Sequence, residues 1–407
     1  MQRTRVQEFL VGLRRQLGAD KEAFGPAYPD RDWAGEAREL RAPWLDADLD
    51  AARSDLFLAA LQLHQDFIAN TAADMTHGLR AALEVFTGDC PRRLEAEKRR
   101  AAWQLFFLVV PVVSTTFASV GSMFGDIGAE SIGWVLIDEA GQVAPQYAAG
   151  AIWRARRAVV VGDPLQLQPV VTIPHKAQRD MATAYGASAT WMPPQASVQT
   201  LADRVARLGT TMQQGGEPIW VSAQLTVHRR CADPMFTFCN QIAYSGIMVH
   251  GVKDRPDPFD GTAGAHVVPS KWLDEPARTP GSHLQENQVE RLERVLEDLH
   301  ERGIPPSEVI AISPFRAVAT RLAELSRRYP GLQAGTIHTA QGREASVVFL
   351  VLGGDPSSPG AKAWASSTVN LVNVAASRAR HRLYVIGDRA AWMGHNYFPQ
   401  LAALLTS

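Results

Sequence analysis

The stretch Trp134–Ala144, WVLIDEAGQVA, constrains this chain more than any other: an apolar run is closed by an adjacent aspartate and glutamate. Such a run reads as a buried parallel strand, and in open α/β sheets ligands bind at the carboxyl ends of the strands. Two carboxylates at that end suit a magnesium nucleotide. Asp138 would hold the hard cation through oxygen and Glu139 would polarise the attacking water, because phosphoryl transfer is catalysed by positioning and charge neutralisation. An Asp-Glu pair is also an ordinary helix cap or turn, so the rest of the chain has to decide.

Further segments follow in order. RRAVVVGDPLQLQP is a second apolar strand ending in Gly162, Asp163 and Pro164, with Gln166 just beyond. LTVHRRC carries Arg229 and Arg230, TIHTAQGRE runs from Thr336 to Glu344, and VNVAASRARHRLYVIGD from Val372 to Asp388. With these segments in this order, over roughly residues 105 to 390, the chain resembles a superfamily 1 helicase of the 5′-to-3′ branch, the senataxin-like group that includes the nonsense-mediated-decay helicase. The resemblance implies an α/β protein with two RecA-like parallel-sheet lobes, the first incomplete, preceded by an α-helical segment. The expected divisions are 1–104 for insertion-like helices, 105–260 for a partial first lobe and 261–407 for the second lobe, the helicase C-terminal domain.

The resemblance also assigns roles. Arg230 and Arg378 match the arginines pointed at the triphosphate, Gln166 matches the sensor of the terminal phosphate, and Asp163, Gly342 and Glu344 match residues near phosphate and ribose. For Gln341 and Arg343, lobe-to-lobe hydrogen bonding and ligand contact stay open. Arg229 stands where an aromatic that stacks on the base is often found. Thr115, Thr116, Ser313, Thr336 and His338 match positions that hold a single-stranded sugar-phosphate track, although a Ser or Thr after a strand also serves as a helix cap. Arg380 and Arg382 lack motif support and read as structural or surface residues. ATP and Mg2+ are the implied cofactors, and single-stranded nucleic acid is the implied partner.

One expected part is not found in these residues. The phosphate-cradling loop GxxxxGK[ST] does not occur, since none of the six lysines, at 21, 98, 176, 253, 271 and 362, is followed by Ser or Thr. The expectation is a helicase chain that is inactive or weakly active alone, its first lobe completed by an upstream chain that supplies this loop. A non-hydrolysing binding module derived from a helicase is a second reading, and an enzyme with a replacement phosphate-binding lysine is a third, disfavoured because Lys98 and Lys176 lack glycine-rich surroundings.

Composition bounds these expectations. With 407 residues and 46% hydrophobic content the chain buries a large core, and a formal charge of −1 means that nucleic-acid contact has to come from a local groove. Cys90, Cys231 and Cys239 show no CxxC spacing, which argues against a disulfide framework or a structural zinc and for the cytoplasm. The most apolar stretch, Leu105–Val113, is too short to span a bilayer, so no membrane role follows. It reads as the first buried strand, followed by strands at 135–137, 159–161 and 219–221; a connection at 172–218 contains Tyr185 and Trp191, read as local packing in preference to base stacking. Asp254–Gly264 reads as a linker. Helices at 286–302 and 317–328 then alternate with strands at 309–312, 335–338, 347–352 and 383–386, the pattern of a parallel sheet covered on both faces.

Overall fold

The computed structural model describes residues 8, 11–12, 15, 35–40, 46–91, 93–194, 196–214, 217–261 and 266–405. Val6, Phe9, Leu10 and Leu13, whose spacing in the sequence predicts a helix, lie outside them. The chain divides into two compact units, Met1–Val135 with Ala149–Ala158, and Leu136–Ala148 with Val159–Ser407.

The first unit is mostly helical. It contains α1 (Gly35–Leu40), although Gly18–Pro43, with Gly25, Pro26, Pro29 and Pro43, reads from the sequence as a loop, then α2 (Ala47–Asn70), α3 (Ala72–Thr87), α4 (Ala96–Val109) and α5 (Phe117–Met123). Asp46 starts α2 by accepting the Leu49 N–H at 2.9 Å, which satisfies one of the orphan donors of the first turn. The apolar run from Leu105 is not a strand. Ala96–Gln104 is rich in strong helix formers, so the helix propagates through Leu105–Val109 and ends before Pro111. Leu105 then lies so close to Gly78 on α3 that a Cβ there would meet its Cδ2 at 2.6 Å. The aromatic residues of the run join a cluster instead of a sheet: Phe106 sits 5.4 Å from Phe86 and Phe107 5.6 Å from Trp103, ring centre to ring centre.

Two strands, β1 (Ile132–Ile137) and β2 (Ala155–Val160), pair in a small sheet. β1 departs from the expected buried strand, because Trp134 and Leu136 are exposed. Arg157 covers part of the Trp134 ring, its guanidinium 5.1 Å from the ring centre. The strand expected at 219–221 belongs to no parallel sheet: β3 (Thr210–Gln214) and β4 (Glu217–Val221) form an antiparallel hairpin. Tyr185 and Trp191 are exposed, which removes the local-packing reading for both.

The second unit is built on a five-stranded parallel sheet. After the short pair β5 (Val227–His228) and β6 (Val249–His250) come β7 (Lys271–Asp274), β8 (Val309–Ser313), β9 (Gln333–Thr336), β10 (Ala345–Val351) and β11 (Ala379–Gly387). The spatial order is β7-β11-β10-β8-β9, all parallel. Every residue of β8 and β10 is buried, as a sheet covered on both faces requires. One cover is α6 (Glu286–Glu301), which turns Val289, Leu292, Leu296 and Leu299 inward at helical spacing. Within the stretch read as a linker, Phe259 is buried and Asp257 accepts from the buried Arg382 at 2.6 Å. Arg380 pairs with Glu308 at 2.8 Å, so both arginines beyond the motif are structural.

Glu308 carries a pH dependence. The Ser346 hydroxyl donates to it at 2.5 Å and, with Arg380, outweighs desolvation, so its carboxyl is held below the usual 4.5. A depressed folded-state value contributes stability that is present above 4.5 and lost as pH falls through the folded value. In acid unfolding, native protein should therefore exceed Glu308→Gln in stability at neutral pH, and the gap should close below that value. A gap constant down to complete acid unfolding would refute the linkage.

Candidate nucleotide site

All residues of this site belong to the second unit. Two turns form its base. The turn after β1 carries Asp138 and Glu139, and the turn after β2 carries Gly162 and Asp163. They are joined by Val161 N–H to the Ile137 carbonyl at 2.8 Å and Ala140 N–H to the Val161 carbonyl at 3.0 Å. Gly162 is needed at this contact, because a Cβ would lie 2.6 Å from the Gly141 nitrogen.

Asp138 is exposed and accepts the Glu139 N–H at 2.8 Å through Oδ1. Glu139 adopts a left-handed backbone, φ 52°, a conformation that costs a non-glycine residue about 1–3 kcal/mol and is found where surrounding structure over-determines it. Two amides hold its carboxylate: Gln142 Nε2 at 2.9 Å and Gln341 Nε2 at 3.1 Å, both donating to Oε2. Gln341 thus links the segment after β9 to the acid after β1, the hydrogen-bonding alternative left open above. Gln142 has no counterpart in the sequence reading.

Arg378 follows helix α7 (Val369–Ser377) and is 1% exposed. It donates to the carbonyls of Val374 and Arg343, each at 3.2 Å, and to Gln166 Oε1 at 3.5 Å. Among the described residues no carboxylate forms an ion pair with it, and burial, then Arg230, lowers its proton affinity. Gln166 in turn donates to Asp163 at 3.0 Å. Burial pushes the Asp163 carboxyl up, against the Tyr244 hydroxyl at 2.6 Å and the Leu165 N–H at 2.8 Å.

Arg230 pairs with Glu344 at 2.7 Å, both partly exposed, so this bond is worth little and an anion can displace it. Its loop is clamped. Arg255 donates to the Arg229 and Arg230 carbonyls, each at 3.3 Å, and His228 Nε2 accepts the Cys231 N–H at 2.9 Å. Burial, followed by the Arg230 charge, lowers His228 to about 4, which keeps it the neutral acceptor this bond needs. Glu344 and Arg378 immediately precede β10 and β11, where the register slips by one residue between Ala345↔Ala379 and Val347↔Arg382. Such bulges re-aim neighbouring side chains. Gly342 has φ 74°, a left-handed backbone that favours glycine, with open space around it.

The proposed track residues fare unevenly. Thr336 is partly buried and its hydroxyl accepts the Thr339 N–H at 3.3 Å; His338 is exposed. Ser313 is fully buried and its hydroxyl accepts the Phe315 N–H at 3.2 Å, a local turn bond that leaves it inaccessible. Thr115 and Thr116 belong to the first unit, follow a helix and not a strand, and precede α5; Thr116 donates to Ser119 Oγ at 3.2 Å.

Among the described residues no cluster of three or more His, Cys, Asp or Glu could hold a metal ion by itself. One or two carboxylates nevertheless fit magnesium, which takes most of its ligands from water and phosphate oxygens. Asp138 would supply one. The buried, unpaired charge of Arg378 and the displaceable pair of Arg230 fit a polyphosphate.

A probable helicase of Dictyostelium discoideum is 25% identical over 288 residues, which is 69% of this chain and 27% of that protein. The DNA replication ATP-dependent helicase/nuclease of Gallus gallus is 25% identical over 283 residues, 68% of this chain and 25% of that protein. This chain thus spans about a quarter of the length of these relatives. Among solved structures, an arterivirus nonstructural protein 10 helicase aligns at a TM-score of 0.30 and 16% identity, over 68% of this chain and 42% of that one, a likeness too low to carry an argument. Two AAA domain models match, one over residues 79–173 and one over 208–390. Every acid, glutamine and arginine of the site lies inside those ranges, and the chain thus carries AAA domains of the kind typical of superfamily 1 helicases.

Proposed function

We propose that this chain forms the nucleotide-sensing part of an ATP-dependent, single-strand-tracking helicase. The observation that carries this is Arg378, a guanidinium buried without a carboxylate yet facing Gln166 from another segment. A buried charge left unpaired is costly, so its place fits an anion that arrives from outside. Bound Mg·ATP supplies the electrophilic phosphorus and neutralises part of the triphosphate charge. Asp138 would hold the cation, Glu139 would accept a proton from the attacking water, and Arg230 and Arg378 would meet charge that grows on the terminal phosphate. Gln341 and Gln142 keep the Glu139 carboxylate in one orientation. Thr336 and His338 are the proposed nucleic-acid contacts.

None of the six lysines in this chain precedes Ser or Thr, and this favours slow turnover by the chain alone. Single-strand-stimulated ATP hydrolysis by the 407-residue protein should not exceed that of its Glu139→Gln variant. Hydrolysis that exceeds the variant by about a hundredfold or more, the lower range for a general base, would overturn the slow-turnover expectation and point to a substitute cation. A strictly non-hydrolysing module would also give no difference, but would bind ATP and ADP alike.

A further inference from the structure

Three polar side chains outside the assigned set converge on the turn that carries Gln166. Helix α7 places Asn370 and Asn373 three positions apart, and both are buried. Asn370 Nδ2 donates to the carbonyls of Pro164, at 3.2 Å, and Gln166. Asn373 Nδ2 donates to the carbonyl of Leu165 at 3.0 Å, so two amides engage three consecutive carbonyls. Asn373 Nδ2 also donates to the Tyr244 oxygen at 3.0 Å, and the Tyr244 hydroxyl donates onward to Asp163 at 2.6 Å. Burial, then the Asp163 charge, raises Tyr244 well above its ordinary value, so the phenol keeps the proton it donates.

This arrangement is expensive for packing alone. The Oδ1 atoms of Asn370 and Asn373 are buried without a hydrogen-bond partner among the described residues. Each such acceptor has lost its water without gaining a partner, and apolar side chains would cover the turn without that cost. Apolar contacts, however, would not fix the rotation of the turn, whereas hydrogen bonds to successive carbonyls do. The same helix leads directly into Arg378, so a turn held in register with α7 is held in register with that guanidinium.

We propose that Asn370, Asn373 and Tyr244 are positioning residues that lock the Asp163–Gln166 turn onto α7, so that Gln166 and Arg378 contact the terminal phosphate as one rigid pair. The sensing role rests on the nucleotide reading above; the lock itself does not. The test compares the native chain with Tyr244→Phe, which removes one oxygen, and Asn373→Leu, which keeps the side chain's size. Two readouts are needed. Amide hydrogen exchange across 163–167 should rise about tenfold in both variants, the worth of one buried hydrogen bond, with protection of β8, β10 and β11 unchanged. The ratio of affinities for a non-hydrolysable Mg·ATP analogue over Mg·ADP should fall by about the same factor.

Unchanged exchange in both variants would refute the lock. Raised exchange with a native affinity ratio would refute the positioning role, because loosening the turn would then leave sensing intact. A native chain that binds both nucleotides equally would fail the nucleotide reading and the sensing role with it, and exchange would still decide the lock. If Asn373→Leu does not fold, Tyr244→Phe decides alone.

Discussion

Replacing Arg378 by methionine should abolish the preference for ATP over ADP while leaving the thermal midpoint unchanged or raised. Few substitutions of a residue 1% exposed should behave this way. The guanidinium donates to two backbone carbonyls and to Gln166 but has no ion-pair partner among the described residues, so the fold carries its desolvation cost without a matching Coulombic gain. A methionine fills much of the volume and removes the buried charge without stranding a carboxylate, so the desolvation saved offsets the hydrogen bonds lost to Val374, Arg343, Gln166 and Ser377. The affinity for the triphosphate should meanwhile fall by about tenfold or more, as for other hydrogen bonds to charged groups. Thermal melting and equilibrium titration with both nucleotides check the pair of effects. A large fall in the midpoint with the preference retained would show that Arg378 is a structural residue.

Phe349→Ala should produce the largest loss of stability. Phe349 lies at 0% exposure in β10, between β8 and β11, and stacks on Tyr384 with ring centres 5.2 Å apart. Truncation removes its transfer free energy and leaves a cavity in a sheet whose helices hold their own backbone, at a cost of about 3–5 kcal/mol. Urea unfolding followed by circular dichroism should show a midpoint lowered accordingly. A loss below about 1 kcal/mol would mean that the sheet relaxes around the gap, contrary to the close packing of interiors.

Much of the second sheet was legible in the sequence, since VIAI and VVFLV are unbroken apolar runs separated by helix-length amphipathic segments. The strand at Lys271–Asp274 was missed because four residues with a charge at each end carry no such signal. The run from Leu105 was misread because periodicity cannot separate a buried strand from a buried helix; what decides is upstream propagation from Ala96 and the fit of Leu105 against Gly78, a contact of distant residues. Site residues in ordered motifs were visible as residue types, and the structure joins Glu139 to Gln341 and Arg378 to Gln166. Their supports were not visible. Tyr244, Asn370 and Asn373 lie on or beside helices, and nothing local distinguishes an amide that engages a distant turn from one that faces water. Ser313 shows the converse, a motif hydroxyl consumed by its own turn.

The most direct test of the triphosphate site is an equilibrium titration of the native 407-residue chain with a non-hydrolysable Mg·ATP analogue and with Mg·ADP. Binding of the analogue tighter by about tenfold or more is expected, because Arg230, Arg378 and Gln166 would meet a phosphate that ADP lacks. Equal affinities, or no binding of either nucleotide, would contradict the assignment.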